Sequence, residues 1–408
     1  MKNYTGFMLL FFIFSIPLIY TQSKDYVSVT SDVKYQYIGT YDIERLNKIL
    51  TTERNDFKEY DITYPSPQYQ VKLYRVIYTS VVPEKNNKPT TASGLIGIPE
   101  TGNSTMPVVS YQHGTIFTKT EVPSNPEESY ETRIQVAQFA GNGYIFIGAD
   151  YFGKGISEES DGYVVKGSTQ QACYDMYIAA KYVTNALGVN MSDLFLTGWS
   201  QGGYNTVAFL NKLEDCGVKV KAAAIASAPV DLLATLNKWI HNYSPDDAIY
   251  LPGCINLILN SYQEYYNVPV IQFAVKPEYQ QYARDFYFNK ISWEEFSKNT
   301  PVKTQDFLTE EFMNASSLGR ERFFLIAQEN QSYRWRSITP MHTYYGDIDE
   351  VVRENITTLP VGYQKIVNGS VVTGVPAGSK ADHRGTFLFS VLDSKKWFDE
   401  LLTGKTLN

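Results

Sequence analysis

Four short segments of this chain carry the residue types that nucleophilic chemistry needs. The first is Gly198-Trp199-Ser200-Gln201-Gly202, followed by Gly203. An apolar run at 194–197 (LFLT) leads into it, and an amphipathic stretch at 204–213 leads out. A strand that turns sharply into a helix displays a serine hydroxyl, and small neighbours let the two elements pack close. The pentapeptide alone is a weak signal, since a Gly-rich turn can hold an incidental serine; its setting is what counts. The second segment is Tyr111-Gln112-His113-Gly114-Thr115, after the run PVVSY. Acyl transfer needs two backbone N–H groups aimed at the tetrahedral oxyanion. Gln201, the residue after the serine, offers one. Thr115 offers the other, with Gly114 permitting a tight backbone. His113 reads as a turn residue rather than a base.

The third segment, Tyr345-Gly346-Asp347-Ile348-Asp349-Glu350-Val351-Val352, follows the run MHTYY. An acid on a strand-end loop can hold an imidazole in one tautomer and orientation. Asp349 is favoured, with Asp347 as runner-up and a solvated acidic turn as the bland alternative. The fourth segment is Lys380-Ala381-Asp382-His383-Arg384-Gly385-Thr386, a polar loop before a last amphipathic stretch. Of the four histidines, His241 falls in an aromatic, mixed-charge region and His342 within a strand. His383 is the one placed as a general base on a last loop. The chain order is therefore Ser200, Asp349, His383.

The elements that must position these residues alternate. A helix is expected at 42–50 within an otherwise polar lead-in. Period-two patterning at 71–82 and 92–98, with a turn at 85–88, predicts an antiparallel hairpin. Short apolar runs at 107–111, 144–148, 194–197 and 221–225 suit buried strands. Helical patterns at 131–139, 170–188 and 204–213 separate them. This order requires right-handed crossovers and a mostly parallel sheet. The rhythm breaks at 231–335, which is aromatic, helical in pattern and without an evident buried strand. It resumes with strands expected at 341–345 and 364–371 and a helix at 386–402. The divisions are a leading segment 1–23, a lead-in 24–68, core 69–230, a helical cap 231–335, and core 336–408.

Composition narrows the partners. A net charge of −7 leaves no excess of Lys and Arg to neutralise phosphates, which argues against nucleic acid. There are 32 Tyr, which suit either a tyrosine-rich surface and core or an aromatic-lined cleft. With 3 Cys there is no disulfide scaffold; a Cys216–Cys254 bond or three free buried thiols both fit. Four His and no CxxC make a zinc site unexpected. Lys2, the uncharged apolar run 6–20 and the small residues Thr21 and Ser23, at the −3 and −1 positions of a cleavage site, follow the order of a secretory signal peptide. That run spans ~22 Å as a helix, short of the ~30 Å hydrocarbon core. Export, to the exterior or a periplasm, with no integral membrane segment in the mature chain, is the expectation. Sequons at Asn103, Asn190, Asn242, Asn314, Asn355 and Asn368 would matter in a glycosylating host.

Taken together, LYRVIYTS, YQHGT, DYFGKG, GWSQGG, YGDIDEVV and DHRGTF, in that order from about Val71, resemble the α/β-hydrolase superfamily. Within it, the chain is similar to the secretory-lipase-like branch. The resemblance implies the α/β-hydrolase fold: a mostly parallel central sheet flanked by helices, with a helical cap insertion. It implies hydrolysis of small-molecule or lipid carboxylic esters by Ser200, Asp349 and His383, with Gln201 and Thr115 as oxyanion donors and no cofactor or metal. Asp150, in DYFGKG, reads as structural, or else as part of the pocket rim. Tyr345 stands where such hydrolases often carry His. Only Thr403–Asn408 follows the last helix, which argues against a lipase flap, interfacial activation and long-chain triglyceride preference. A serine peptidase of the same fold shares the triad and the GxSxGG turn, and a non-catalytic binding protein would ordinarily lack a triad member. The cap aromatics Trp239, Tyr243, Tyr250, Tyr262, Tyr265, Tyr266 and Phe273 are expected to shape the acyl pocket.

Overall fold

The structure, a computed structural model, describes residues 25–314 and 318–404. The leading segment 1–23 lies outside the described residues. Ten strands form one sheet: β1 (Val27–Ser28), β2 (Val33–Tyr41), β3 (Val71–Val82), β4 (Lys88–Pro99), β5 (Thr105–Gln112), β6 (Ile145–Ala149), β7 (Asn190–Trp199), β8 (Ala222–Ala226), β9 (Met341–Tyr345) and β10 (Val372–Pro376). Their spatial order is β1-β2-β3-β4-β6-β5-β7-β8-β9-β10. The first four pair antiparallel, β4 meets β6 antiparallel, and every neighbour from β6 to β10 is parallel.

Alternation along each strand feeds two cores. On β7, Leu194 and Leu196 face one side and Phe195 the other. The first core packs the helices Lys166–Ala186 and Gln201–Asp215 on the sheet. The second packs Tyr130–Phe139 and the last helix, His383–Thr403. Between β8 and β9 the chain leaves the sheet and runs through helices from Leu232 to Glu329. Among the described residues of that stretch, the one strand-like contact is a bridge between Val275 and Leu308.

Two expectations need correcting. The lead-in is not merely polar: Val33–Tyr41 is a nine-residue strand pairing β3, with a register shift between Tyr37 and Gly39. Its intermediate exposure and that bulge blur the alternation that marks a strand. The second is the expected strand at 364–371. Leu359–Ile366 is a helix with Pro360 in its first turn, and β10 begins at Val372. Asn368, at φ 51°, makes the break between them.

Phe398 of the last helix is fully buried and stacks on Phe195 of β7 with centroids 4.5 Å apart. Phe398→Ala is expected to cost ~3–5 kcal/mol. Urea denaturation would show it as a lowered midpoint with an unchanged slope.

Candidate active site

Ser200 sits between the end of β7 and the helix Gln201–Asp215, at φ 58° and ψ −124°. That backbone costs a non-glycine residue ~1–3 kcal/mol, and the surroundings enforce it. The Ser200 N–H donates to the Ala226 carbonyl at 2.9 Å, and its carbonyl accepts from Gly203 and Tyr204. The flanking glycines are obligatory for close approach. A Cβ on Gly198 would meet the Gly202 oxygen at 2.2 Å, and one on Gly202 would meet the Gln112 oxygen at 1.9 Å. The turn is thus pressed against both its own helix and the end of β5. The N–H groups of Gln201 and Thr115 donate to no acceptor among the described residues.

Asp349 and His383, from different loops, meet in the interior. His383 Nδ1 lies 3.0 and 3.1 Å from the two carboxylate oxygens of Asp349. The Asp349 Oδ1 also accepts the N–H groups of Val351 and Val352, each at 2.9 Å. Burial pushes the Asp349 carboxyl up, but His383 and the hydrogen bonds outweigh it and hold it below the usual carboxylate range. Burial also disfavours the His383 imidazolium, yet Asp349, then Glu350 and Asp382, hold it above its ordinary 6.5. Asp347 is exposed and stands outside this contact.

Ser200, His383 and Thr115 line one cavity of about 280 Å³. Its apolar wall includes Phe117, Trp239, Tyr250, Trp293, Val351 and Val352. Of the seven aromatics expected there, Trp239 and Tyr250 reach it. Tyr262 and Tyr265 are buried in the core, Tyr266 and Phe273 pack against it, and Tyr243 is exposed. Two larger hollows, of about 410 and 550 Å³, hold neither serine, cysteine nor histidine.

The other residues singled out by sequence have different places. His113 is buried and stacks on Tyr151 with centroids 4.1 Å apart; burial drives its imidazole down to about 4. His342 stacks on Trp397, and His241 is exposed. Asp150 is fully buried, accepting from the Ser93 hydroxyl at 2.5 Å and the Ser124 N–H at 2.9 Å, and does not line the cavity. The cysteines are free thiols: Cys173 and Cys254 are buried and Cys216 is exposed.

Sequence reasoning missed several neighbours of the site. Trp199 donates its indole N–H to the His383 carbonyl at 2.9 Å, with the rings 4.7 Å apart. Glu350 accepts the His383 backbone N–H at 3.0 Å. Phe57, from the lead-in, packs edge-on against Trp199 and lines the cavity. A buried Trp beside the serine was the available signal, since an indole N–H must find an acceptor.

Residues 129–246 match the prolyl oligopeptidase family of peptidases. The match contains Ser200 and stops short of Asp349 and His383. No curated protein matches the chain. Among solved structures, it is similar to a protein from Legionella pneumophila described as a hydrolase, with TM-score 0.81, 22% identity, and 94% and 100% of the two chains covered. It is also similar to a ligand-bound form of LipA, a rice cell wall degrading esterase from Xanthomonas oryzae, with TM-score 0.75, 18% identity, and 91% and 98% covered. For Candida antarctica lipase A the figures are 0.65, 16%, and 83% and 79%. These likenesses, with the sheet order above, define the chain as an α/β-hydrolase-fold protein. Among the described residues no helix is long and apolar enough to cross a membrane.

A general base at His383 would work as the neutral imidazole, so kcat/KM would fall as pH drops through its raised pKa. The acid limb is expected above 6.5. On that reading Asp349→Asn, which removes the largest of the charges that raise the value, is expected to move the limb to lower pH and to lower kcat ~10⁴-fold through the wrong tautomer. Asp347→Asn moves neither quantity. Ester hydrolysis rates across a pH series check all three statements.

Proposed function

We propose that this protein hydrolyses carboxylic esters through an acyl-enzyme. The observation that carries the reading is that His383, held by the buried Asp349, lines the same cavity as the strained Ser200. Ser200 Oγ attacks the ester carbonyl while His383 takes its proton. Asp349 stays ionised and stabilises the imidazolium. The Gln201 and Thr115 amides receive the oxyanion, each worth ~3 kcal/mol. His383 then protonates the leaving alcohol, and water activated by the same imidazole releases the acid. The esterase and lipase neighbours support the acyl chemistry. The charged, apolar and small-residue order at 1–23 supports export.

A cavity of about 280 Å³ walled by Trp239, Tyr250 and Trp293 favours short acyl chains. Each methylene that enters an apolar cavity contributes ~0.8 kcal/mol until the far wall is met. A second reading, peptide hydrolysis, is favoured by the match over residues 129–246.

Hydrolysis of p-nitrophenyl esters from acetate to palmitate, beside a dipeptide p-nitroanilide, separates the readings. Butyrate is expected to outpace palmitate, and Ser200→Ala to abolish turnover and labelling by a fluorophosphonate. Trp293→Ala is expected to move the optimum to longer chains while acetate turnover stays within ~3-fold. Anilide cleavage exceeding every ester would assign a peptidase instead.

A further inference from the structure

The reaction proposed above leaves one buried acid of the cavity unused. Glu131 stands in the first turn of the helix Tyr130–Phe139 and is 7% exposed. Its Oε2 accepts the Gly114 N–H at 2.7 Å and the Tyr111 hydroxyl. The same residue lines the cavity with Ser200, Thr115 and His383. A carboxyl where an oxyanion develops is a poor neighbour on electrostatic grounds, and its burial is costly unless it is well bonded. Such a group needs a geometric reason to be there.

The reason lies in the turn at 113–115. Its flanks are tied elsewhere: the His113 carbonyl accepts from the Tyr151 hydroxyl at 3.1 Å, and the Ile116 carbonyl from Lys154 Nζ at 3.2 Å. The Thr115 hydroxyl meets that of Tyr163 at 2.8 Å. Gly114 is the middle link. Its carbonyl, which shares a peptide plane with the Thr115 N–H, meets His113 Nδ1 at 2.8 Å, and Trp199 lies against its α-carbon, where a Cβ would meet the ring at 2.8 Å. Glu131 holds the peptide plane before Gly114 by its N–H, and His113 holds the plane after it by its carbonyl, so the two together set the Gly114 backbone and the direction of the Thr115 amide. The next amide, that of Thr115, has no acceptor among the described residues and belongs to a residue of the cavity wall.

We propose that Glu131 is a positioning residue for the oxyanion hole, gripping the Gly114 amide so that the Thr115 amide is held ready for the developing charge. This rests on the ester-hydrolase reading, in which Thr115 is a donor. A preorganised donor acts on the transition state and hardly on the bound substrate. Its loss therefore appears in kcat rather than in KM.

The test is p-nitrophenyl butyrate kinetics on the full chain. Glu131→Ala is expected to lose ~10²-fold in kcat with KM within ~3-fold. Glu131→Gln keeps an acceptor oxygen and is expected within ~10-fold of the parent. Tyr111→Phe removes only the other donor and is expected near the parent. A boronic acid that mimics the tetrahedral intermediate should lose affinity in Glu131→Ala in parallel with kcat/KM, while inhibition by butyrate stays unchanged. If Glu131→Ala does not fold, Glu131→Met, which fills the space without accepting, supplies the comparison. Unaltered kcat in the Ala or Met variant overturns the proposal, as does a Gln variant no better than either. Equal losses of boronate and butyrate affinity also overturn it. Ser200→Ala, run alongside, reports on the parent reading: turnover retained there sinks the ester-hydrolase assignment and the Glu131 role with it.

Discussion

Everything around the site is arranged to hold one residue in a conformation it would not choose. Ser200 has a left-handed backbone at the junction of β7 and the helix that follows. A hydrogen bond to β8, two carbonyl contacts from the helix and the end of β5 keep it there. Gly198 and Gly202 are glycines because backbone oxygens occupy the space a side chain would need. The Thr206 hydroxyl donates to Gln112 Oε1 at 2.9 Å, tying the helix to the strand that leads into the Thr115 loop. The Ser200 turn and the strand end that leads into the Thr115 loop are therefore one packed unit, and strain in the first is carried by contacts in the second.

Electrostatics at the other end of the site follow from burial. Asp349 and His383 are both nearly inaccessible, so each would resist charge alone. Together they support it: Asp349 is held ionised and His383 is made more basic. The surrounding bonds fix orientation rather than charge. Val351 and Val352 clamp one carboxylate oxygen, Glu350 holds the His383 N–H, and Trp199 holds the His383 carbonyl. The residue beside the serine thus reaches across to the residue that would serve it as base.

The insertion between β8 and β9 supplies part of the cavity wall. Its aromatic richness is mostly spent on its own packing, as in the stacked pair Phe286–Phe296 at 4.5 Å. Trp293 serves both purposes, packing on Phe286 and Phe296 with centroids 5.9 Å away and walling the cavity. The lead-in supplies the other side through Phe57. Specificity in such a site comes from segments far apart in the chain, on a sheet that keeps the reacting groups still.

Local signals carried a good deal here. The parallel strands are short apolar runs, the helices between them carry a 3.6 period, and Gly-x-Ser-x-Gly falls at their junction; each depends on neighbours in sequence, so each was legible. The choice of Asp349 over Asp347 could be argued from spacing, but burial beside His383 is a tertiary fact. Strand β2 escaped because a half-exposed edge with a bulge has no clean alternation, and β10 was displaced because a helix breaks at Asn368 just before it. Which aromatics face the cavity, and that Glu131 reaches back to Gly114, could not be read from the chain. Those contacts join residues whose separation in sequence says nothing of their separation in space, and only the packed sheet brings them together.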